Sequence, residues 1–128
     1  MKLKTKFGMV VSGHMKATEA GMKILKKGGN AMDAAIATAS TLAVSIPNMN
    51  GLGGDSIALY YSSKTKKITT INGSGKSPKK ASIKYFKSIG LNEIPQRSSL
   101  SITVPGVLHA WEKSLKKYGS KKLAEVLK

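Results

Sequence analysis

Cysteine is absent from this sequence, and its absence excludes disulfide bonds, thiolate metal ligands and a cysteine nucleophile. Histidine is almost absent as well, because His14 and His109 are the only two examples. Neither has an acid or a nucleophile at a diagnostic spacing, so we interpret both imidazoles as structural. A zinc site built on histidine would lack ligands, and we expect no metal site.

Long hydrophobic runs are also missing. After the basic start of the chain, residues 1–7, the apolar run covers only residues 8–11. The longest apolar-rich stretch, residues 31–46, is interrupted by Asp33 and by several hydroxyl side chains. A signal-peptide core or a membrane span needs a longer uninterrupted run. We therefore expect a cytoplasmic protein with no membrane partner.

Negative charge is scarce, since 6 acidic residues face 22 basic ones and the formal net charge is +16. A basic surface can bind nucleic acid by releasing counterions from phosphates. However, Arg97 is the only arginine and aromatic residues make up 5% of the chain, whereas base recognition and stacking rely on both. The lysines are scattered over the sequence. We interpret them as a solvated surface and expect no nucleic-acid partner.

The first half of the chain predicts a short strand and two helices. Residues 7–11 are read as the strand. Apolar residues at spacings of three and four predict a helix over residues 17–27, which Gly28 and Gly29 then end. Asn30 is expected to cap a second helix over residues 31–45, and its many alanines predict packing on more than one side.

The second half predicts a β-hairpin followed by further short elements. Apolar and β-branched runs at residues 56–61 and 67–72 give the hairpin strands. The remaining predicted elements are a short helix over residues 81–90, a strand over residues 101–104, a helix over residues 107–118, and a final helix capped by Ser120. The final helix reaches Lys128 with no stop signal, which we interpret as an interrupted sequence.

Two glycine-rich segments invite a comparison with nucleotide-binding loops, and both fail it. The loop at residues 51–54 follows a helix and precedes a strand, which is the reverse of the order in a dinucleotide fingerprint. The Gly75-Lys76-Ser77 segment is followed by Pro78 and lacks the earlier glycine of a phosphate-binding loop. We interpret both segments as tight turns.

Four segments in this order resemble the amino-terminal region of the gamma-glutamyltransferase family, also called gamma-glutamyltranspeptidases or glutathione hydrolases. They are Ala-Thr-Glu-Ala-Gly at residues 17–21, Gly-Gly-Asn-Ala-Met-Asp-Ala-Ala at 28–35, Gly-Leu-Gly-Gly-Asp at 51–55 and Val-Pro-Gly at 104–106. The similarity runs from about residue 8 to residue 119 and into the final helix. It corresponds to the beginning of the family's large subunit.

The resemblance implies an α/β (α+β) fold, the αββα sandwich of N-terminal nucleophile hydrolases, of which residues 1–128 would form only the opening segment. Such enzymes are precursors that cleave themselves into a large and a small subunit. A threonine at the start of the small subunit attacks the gamma-glutamyl amide, its own α-amine serves as the base, and no cofactor is needed. No segment here matches that threonine. We therefore assign no catalytic residue and expect the chain alone to be inactive.

The resemblance also predicts a substrate-binding segment and the partners of the chain. Residues 72–78 align with the segment where typical members carry an arginine that binds the substrate α-carboxylate, and Ser74 takes the place of that arginine. A serine supplies neither charge nor a two-pronged contact. Either the preference for glutamate is lost, or Lys76 substitutes as a point charge, or a cation lies elsewhere. Ser74, Gly75 and Lys76 are the predicted substrate-binding residues. The implied partners are the rest of the large subunit, the small subunit and a small gamma-glutamyl or related amide such as glutathione.

Two other functions stay open at this point. One is an acylase of the same fold with a different acyl specificity, since the arginine is replaced. The other is a non-catalytic, lysine-rich binding protein. A continuation of the reading frame that carries the small-subunit threonine motif would favour an enzyme, whereas a genuine stop after Lys128 would favour the binding protein.

Overall fold

A computed structural model describes residues 5–128, so the first four residues of the basic start lie outside it. Two long helices come first, a β-hairpin follows, and three helices complete the described chain. The elements are α1 Met15–Lys26, α2 Ala31–Ser45, β1 Ile57–Ser62, β2 Lys67–Asn72, α3 Ile83–Ser88, a 3₁₀ turn Ser99–Ser101, α4 Val107–Tyr118 and α5 Leu123–Val126. In residues 5–128, none of the helices has both the length and the hydropathy that a membrane crossing requires.

Helix α1 begins and ends where local hydrogen bonding favours it. The Nδ1 atom of His14 accepts a hydrogen bond from the amide of Lys16 at 3.2 Å, so His14 is a helix cap, in keeping with a structural role. At the other end Gly28 has a φ of +79°, and the amides of Gly28 and Gly29 donate to carbonyls of the last helical turn. Glycine reaches this conformation without strain, which confirms the predicted helix end.

The two long helices cross closely at Gly21. A Cβ on Gly21 would overlap Thr38 Oγ1, and it would lie 3.1 Å from the carbonyl oxygen of Ala34. The hydroxyl of Thr38 is not left unpaired there, because it donates to Ala34 at 2.8 Å. Small residues on both helices therefore allow a contact that larger side chains would prevent.

The hydrophobic core surrounds α2 and lies between it, α1 and the last two helices. Helix α2 contacts α1, α4 and α5, which confirms that it packs on more than one side. The largest apolar side chains of this core are those of Ile24, Met32, Ile36, Val107, Trp111, Leu115 and Val126. Helix α4 has the bounds predicted from its apolar spacing.

The β-hairpin forms as predicted, and its two faces differ. Strands β1 and β2 pair antiparallel, with Ile57 opposite Asn72 and Ser62 opposite Lys67. Tyr60 and Ile71 pack against the core on one face. The other face carries apolar side chains that are 56–76% exposed: Ile57, Leu59, Tyr61 and Ile68. This face contacts little within residues 5–128.

Three local predictions were wrong. Residues 7–11 and 101–104 form no strand, because neither segment pairs with another strand among the described residues. Residues 99–101 instead form a 3₁₀ turn. Ser120 does not cap the final helix, which begins after Lys122, whose amide donates to Glu125 Oε1 at 3.1 Å. Ser120 binds Asp33 instead.

Candidate functional site

Three segments that are distant in sequence meet in what we call the glycine cluster, residues 51–56, 72–76 and 103–106. The amide of Gly73 donates to the carbonyl of Ser56 at 2.7 Å, which extends the pairing of the hairpin. The amide of Gly106 donates to the carbonyl of Gly54 at 3.2 Å. Main-chain hydrogen bonds therefore connect all the glycine-containing motifs of the second half of the chain.

Glycine is required at some positions of this cluster because backbones touch there. A Cβ on Gly75 would overlap the carbonyl oxygen of Val104, and a Cβ on Gly106 would overlap that of Gly73. None of these glycines has a positive φ, so lack of space explains them rather than an unusual backbone conformation. The interpretation as a tight turn holds for residues 51–54, where the amide of Gly54 donates to the carbonyl of Gly51 at 3.3 Å. It was wrong for residues 75–77, which form no turn, because this segment is bonded to Asp55 and Val104 on its two sides.

One carboxylate joins the segments of the glycine cluster. Asp55 Oδ1 accepts hydrogen bonds from the amide of Gly75 at 3.2 Å and from the hydroxyl of Thr103 at 3.1 Å. The amide of Gly75 is the main cause of a lowered pKa of Asp55; desolvation opposes it, and the hydroxyls of Thr103 and Ser74 add to the lowering. Asp55 is solvent exposed and is therefore an ionised, accessible side chain.

The predicted substrate-binding residues all lie in this cluster. Gly75 is half-buried between Asp55 and Val104, whereas Ser74 and Lys76 on either side of it are exposed. The amide of Ser74 donates to Asn72 Oδ1 at 3.0 Å, and the carbonyl of Lys76 accepts from the amide of Val104 at 3.0 Å. The side chains of Ser74 and Lys76 thus flank a backbone segment that is held on both sides.

Sequence reasoning missed the connection made by Asp55 and Thr103. Asp55 was noted only as the end of a glycine motif, and Thr103 as part of a strand. An acid directly after a glycine turn is a usual acceptor for backbone amides, which is the signal that was available. Within residues 5–128, no group of three or more histidine, aspartate or glutamate side chains is arranged to hold a metal ion.

A second carboxylate forms what we call the Asp33 cluster, made of Asn30, Asp33 and residues 118–121. Asp33 is 0% exposed, and it accepts hydrogen bonds from the amide of Asn30 at 2.8 Å and from the hydroxyl of Ser120 at 2.6 Å. The amides of Ser120 and Lys121 also donate to it, at 3.0 and 3.2 Å. Burial raises the pKa of Asp33, but the Ser120 hydroxyl and these amides outweigh burial and lower it overall.

Asn30 completes the Asp33 cluster. Its Oδ1 accepts from the amides of Met32 and Asp33 at the start of α2, which confirms the predicted cap. Its Nδ2 donates to the carbonyl of Tyr118 at 2.8 Å. The long glycine-asparagine-aspartate motif of the sequence therefore connects the start of α2 to the end of α4. It stabilises the fold and presents no free reactive group.

A groove of about 660 Å³ lies between residues 7–12 and the first two helices. Its lining is mostly apolar and includes Phe7, Val10, Leu25 and Leu42. No titratable side chain lines it, so it offers no general acid or base. The hydroxyls of Ser12 and Thr38 do line it, and both are already hydrogen bonded, the first to Thr18 and the carbonyl of His14 and the second to the carbonyl of Ala34. The glycine cluster remains the better candidate for a site.

The region that holds both clusters is shared with known proteins. The sequence matches the family model described as Gamma-glutamyltranspeptidase over residues 17–128. It is 48% identical over 120 residues to the glutathione hydrolase-like YwrD proenzyme of Bacillus subtilis, covering 93% of this chain and 22% of that protein. The chain therefore spans about a fifth of the length of this relative.

Two solved structures resemble the chain closely. The gamma-glutamyltranspeptidase of Helicobacter pylori matches with a TM-score of 0.87 and 34% identity, over 99% of this chain and 37% of that one. The cephalosporin acylase of Bacillus halodurans matches with a TM-score of 0.81 and 42% identity, over 88% of this chain and 21% of that one. These matches confirm the predicted α/β fold class, that of the N-terminal nucleophile hydrolases.

Proposed function

The chain belongs to the gamma-glutamyltranspeptidase family, and on that premise we propose that it forms the first part of the large subunit of an enzyme acting on amides. The enzyme hydrolyses or transfers gamma-glutamyl or related acyl groups. The relatives named above are a hydrolase-like proenzyme, a transpeptidase and an acylase, so the family is one of enzymes. The cytoplasmic location expected from the sequence belongs to the same proposal.

The observation that carries the proposal is the placement of residues 74–76. Ser74 and Lys76 lie at the exposed edge of the glycine cluster, where Lys76 supplies a positive charge and the Ser74 hydroxyl interacts with Asp55. Lys76 can bind a substrate carboxylate as a point charge, and Ser74 can add a hydrogen bond if its hydroxyl turns from Asp55 to the substrate. We assign no nucleophile to residues 1–128, and we expect the catalytic threonine in the part of the enzyme that corresponds to the small subunit.

The exposed hairpin face supports the proposed partners. Apolar side chains such as Ile57 and Leu59 are 74% and 76% exposed, which is unfavourable for a finished surface. We propose that the rest of the large subunit and the small subunit cover this face. Alone, residues 1–128 would then be partly ordered and prone to aggregate, and a reversible, cooperative unfolding transition of the isolated monomer would contradict this.

An acylase of different specificity is the second candidate, and one observation favours it. Ser74 replaces the arginine expected at this place, and the only arginine of the chain, Arg97, lies outside the glycine cluster. A pocket without the planar guanidinium of that arginine selects the α-carboxylate of a glutamyl group less strongly. The non-catalytic binding protein, by contrast, has only the lysine content in its favour.

Specificity constants for gamma-glutamyl, glutaryl and 4-aminobutanoyl amides test the proposal, because the glutaryl amide lacks only the α-amine and the 4-aminobutanoyl amide lacks only the α-carboxylate. The protein should be used as encoded, including any sequence beyond Lys128. We expect weak use of the gamma-glutamyl amide, with a further loss in Lys76→Ala and no change in the control Lys79→Ala, which removes an exposed lysine outside the cluster. A strong preference for the gamma-glutamyl over the 4-aminobutanoyl amide that survives Lys76→Ala would contradict both roles proposed for this segment.

Residues 1–128 alone are used to test whether this part of the enzyme lacks the catalytic nucleophile. We expect no product from a gamma-glutamyl anilide. Thr18 and Thr70 are the informative control positions: the hydroxyl of Thr18 is hydrogen bonded to that of Ser12 at 2.8 Å, and Thr70 is exposed on β2. Turnover by pure material that is lost on substituting either threonine would show that the active site lies in this chain.

A further inference from the structure

The glycine cluster contains a contact that the proposed function does not use. Asp55 Oδ1 accepts a hydrogen bond from Gly75, 20 residues later, and another from Thr103, 48 residues later. A single exposed carboxylate oxygen therefore joins three loops. Hydrogen bonds to an ionised acceptor are stronger than neutral ones, so they add to the main-chain bonds that already join these loops.

The geometry of residues 74–76 depends on this contact. Gly75 lies directly against the carbonyl of Val104, while its own amide points to Asp55. One residue later, the carbonyl of Lys76 accepts from the amide of Val104 at 3.0 Å. The backbone is thus held at two successive residues, and these two anchors determine the directions in which the side chains of Ser74 and Lys76 leave it.

The charge of Asp55 does not neutralise the cation beside it. Across residues 5–128, the structure shows no ion pair between Asp55 and Lys76, although the two belong to the same cluster. Oδ1 accepts from the Gly75 amide and the Thr103 hydroxyl, which are both neutral donors. Lys76 is exposed, and its ammonium is therefore accessible to a ligand.

We propose that Asp55 is a positioning residue that fixes the backbone of residues 74–76, and so determines how Ser74 and Lys76 meet the acyl group of a substrate. The inference rests on the proposed function for its consequence in substrate binding. Its structural half concerns only the order of the loop. The two halves can therefore be measured separately.

The structural half is tested by hydrogen exchange of residues 72–78 in the protein as encoded. In Asp55→Ala we expect the amide of Gly75 to exchange about tenfold faster, because its acceptor is gone. Asp55→Asn keeps an oxygen acceptor at the same place and should restore most of the protection. Thr103→Val, which removes only the second donor, should fall between them. Glu93→Ala, which removes an exposed acid elsewhere, is the control and should exchange like the unmodified protein.

The substrate half is tested by steady-state kinetics of the same variants with the better of the gamma-glutamyl and glutaryl amides. Asp55→Ala should raise KM severalfold and leave kcat nearly unchanged, and Asp55→Asn should recover most of the affinity.

Unchanged exchange at Gly75 in Asp55→Ala overturns the inference, whether or not the protein turns over any amide. Faster exchange with unchanged KM overturns the role in substrate binding. Absence of turnover in the unmodified protein contradicts the proposed function, and the exchange experiment still decides whether Asp55 holds the loop. If Asp55→Ala does not fold, Thr103→Val decides in its place: exchange at Gly75 no faster than in Asp55→Asn overturns the inference.

Discussion

Asp33 and Asp55 each join segments that are far apart in the sequence, but their surroundings are opposite. Asp33 has no exposed surface and accepts hydrogen bonds from Asn30, Ser120 and Lys121. Asp55 is exposed and accepts from Gly75 and Thr103 through one oxygen. The contrast lies in the two carboxylates and not in their donors, most of which are half-buried in both clusters. Asp33 is enclosed and satisfies the amides of Asn30, Ser120 and Lys121 together with the Ser120 hydroxyl, whereas Asp55 is open to water and satisfies two donors.

The comparison separates a contact that stabilises the fold from one that shapes a loop. The cost of breaking a hydrogen bond depends strongly on whether the remaining partner stays buried and unpaired. Breaking the Asp33 cluster should therefore lower the free energy of unfolding. Breaking the contact of Asp55 should change local order and leave global stability almost unaltered.

The largest expected effect is that of Asp33→Ala. The substitution leaves the amides of Asn30, Ser120 and Lys121 without their acceptor and opens a cavity in the core. We expect the free energy of unfolding to fall by roughly 3 kcal/mol or more, measured by urea denaturation of the protein as encoded. The matched variant Asp55→Ala should leave the urea midpoint unchanged within error. Equal losses in the two variants would contradict the comparison.

The next effect is a difference between two glycines of the glycine cluster, one tightly packed and one in open space. A methyl group on Gly75 would overlap the carbonyl of Val104, whereas one on Gly53 would meet nothing within 4 Å. We expect Gly75→Ala to lower the free energy of unfolding by roughly 1–3 kcal/mol, because backbone must move. Gly53→Ala should stay within about 0.5 kcal/mol of the unmodified protein. A Gly75→Ala protein with the free energy of unfolding of the unmodified protein would show that the loop backbone adjusts to the added methyl group at little cost.

The helical half of the fold was predictable because its signals are local. Gly28 ends α1 and Asn30 caps α2 through contacts that span only a few residues. The apolar spacing gave the bounds of α4 for the same reason. Residues 101–104 looked like a strand, but a strand needs a partner, and none of the described residues supplies one.

The site was predictable only in part. The resemblance to a family located Ser74, Gly75 and Lys76, since the alignment to Pro78 gives their place without any knowledge of contacts. The hydrogen bonds of Asp55 cross 20 and 48 residues, and the bond from Ser120 to Asp33 crosses 87. No local pattern encodes such distances. For that reason Ser120 was taken for a helix cap and Thr103 for a strand residue.

Acid should distinguish the two carboxylates. The pKa of Asp33 in the folded protein is lowered below its ordinary value of 3.8, so the unfolded chain takes up the proton first. The stability that Asp33 contributes is complete above that value and is lost as the pH falls through the lower folded pKa. We expect urea midpoints measured between about pH 6 and pH 2.5 to fall less steeply in Asp33→Asn than in the unmodified protein. The pKa of Asp55 is lowered as well, so Asp55→Asn should flatten the fall in the same direction, but less, because that group is exposed and solvent weakens its interactions. A greater flattening in Asp55→Asn than in Asp33→Asn would reverse the assignment.

The smallest effect comes from removing one hydroxyl donor beside each carboxylate. Ser120→Ala deletes the 2.6 Å bond to Asp33, but the amide of Ser120 still donates to the same carboxylate. We therefore expect a loss of about 1 kcal/mol in the free energy of unfolding. Thr103→Val deletes the 3.1 Å bond to Asp55, which is exposed, so its urea midpoint should not change measurably. In the double variant the two effects should add, because the clusters share no residue. A larger loss in Thr103→Val than in Ser120→Ala would mean that the exposed carboxylate, and not the buried one, stabilises the fold.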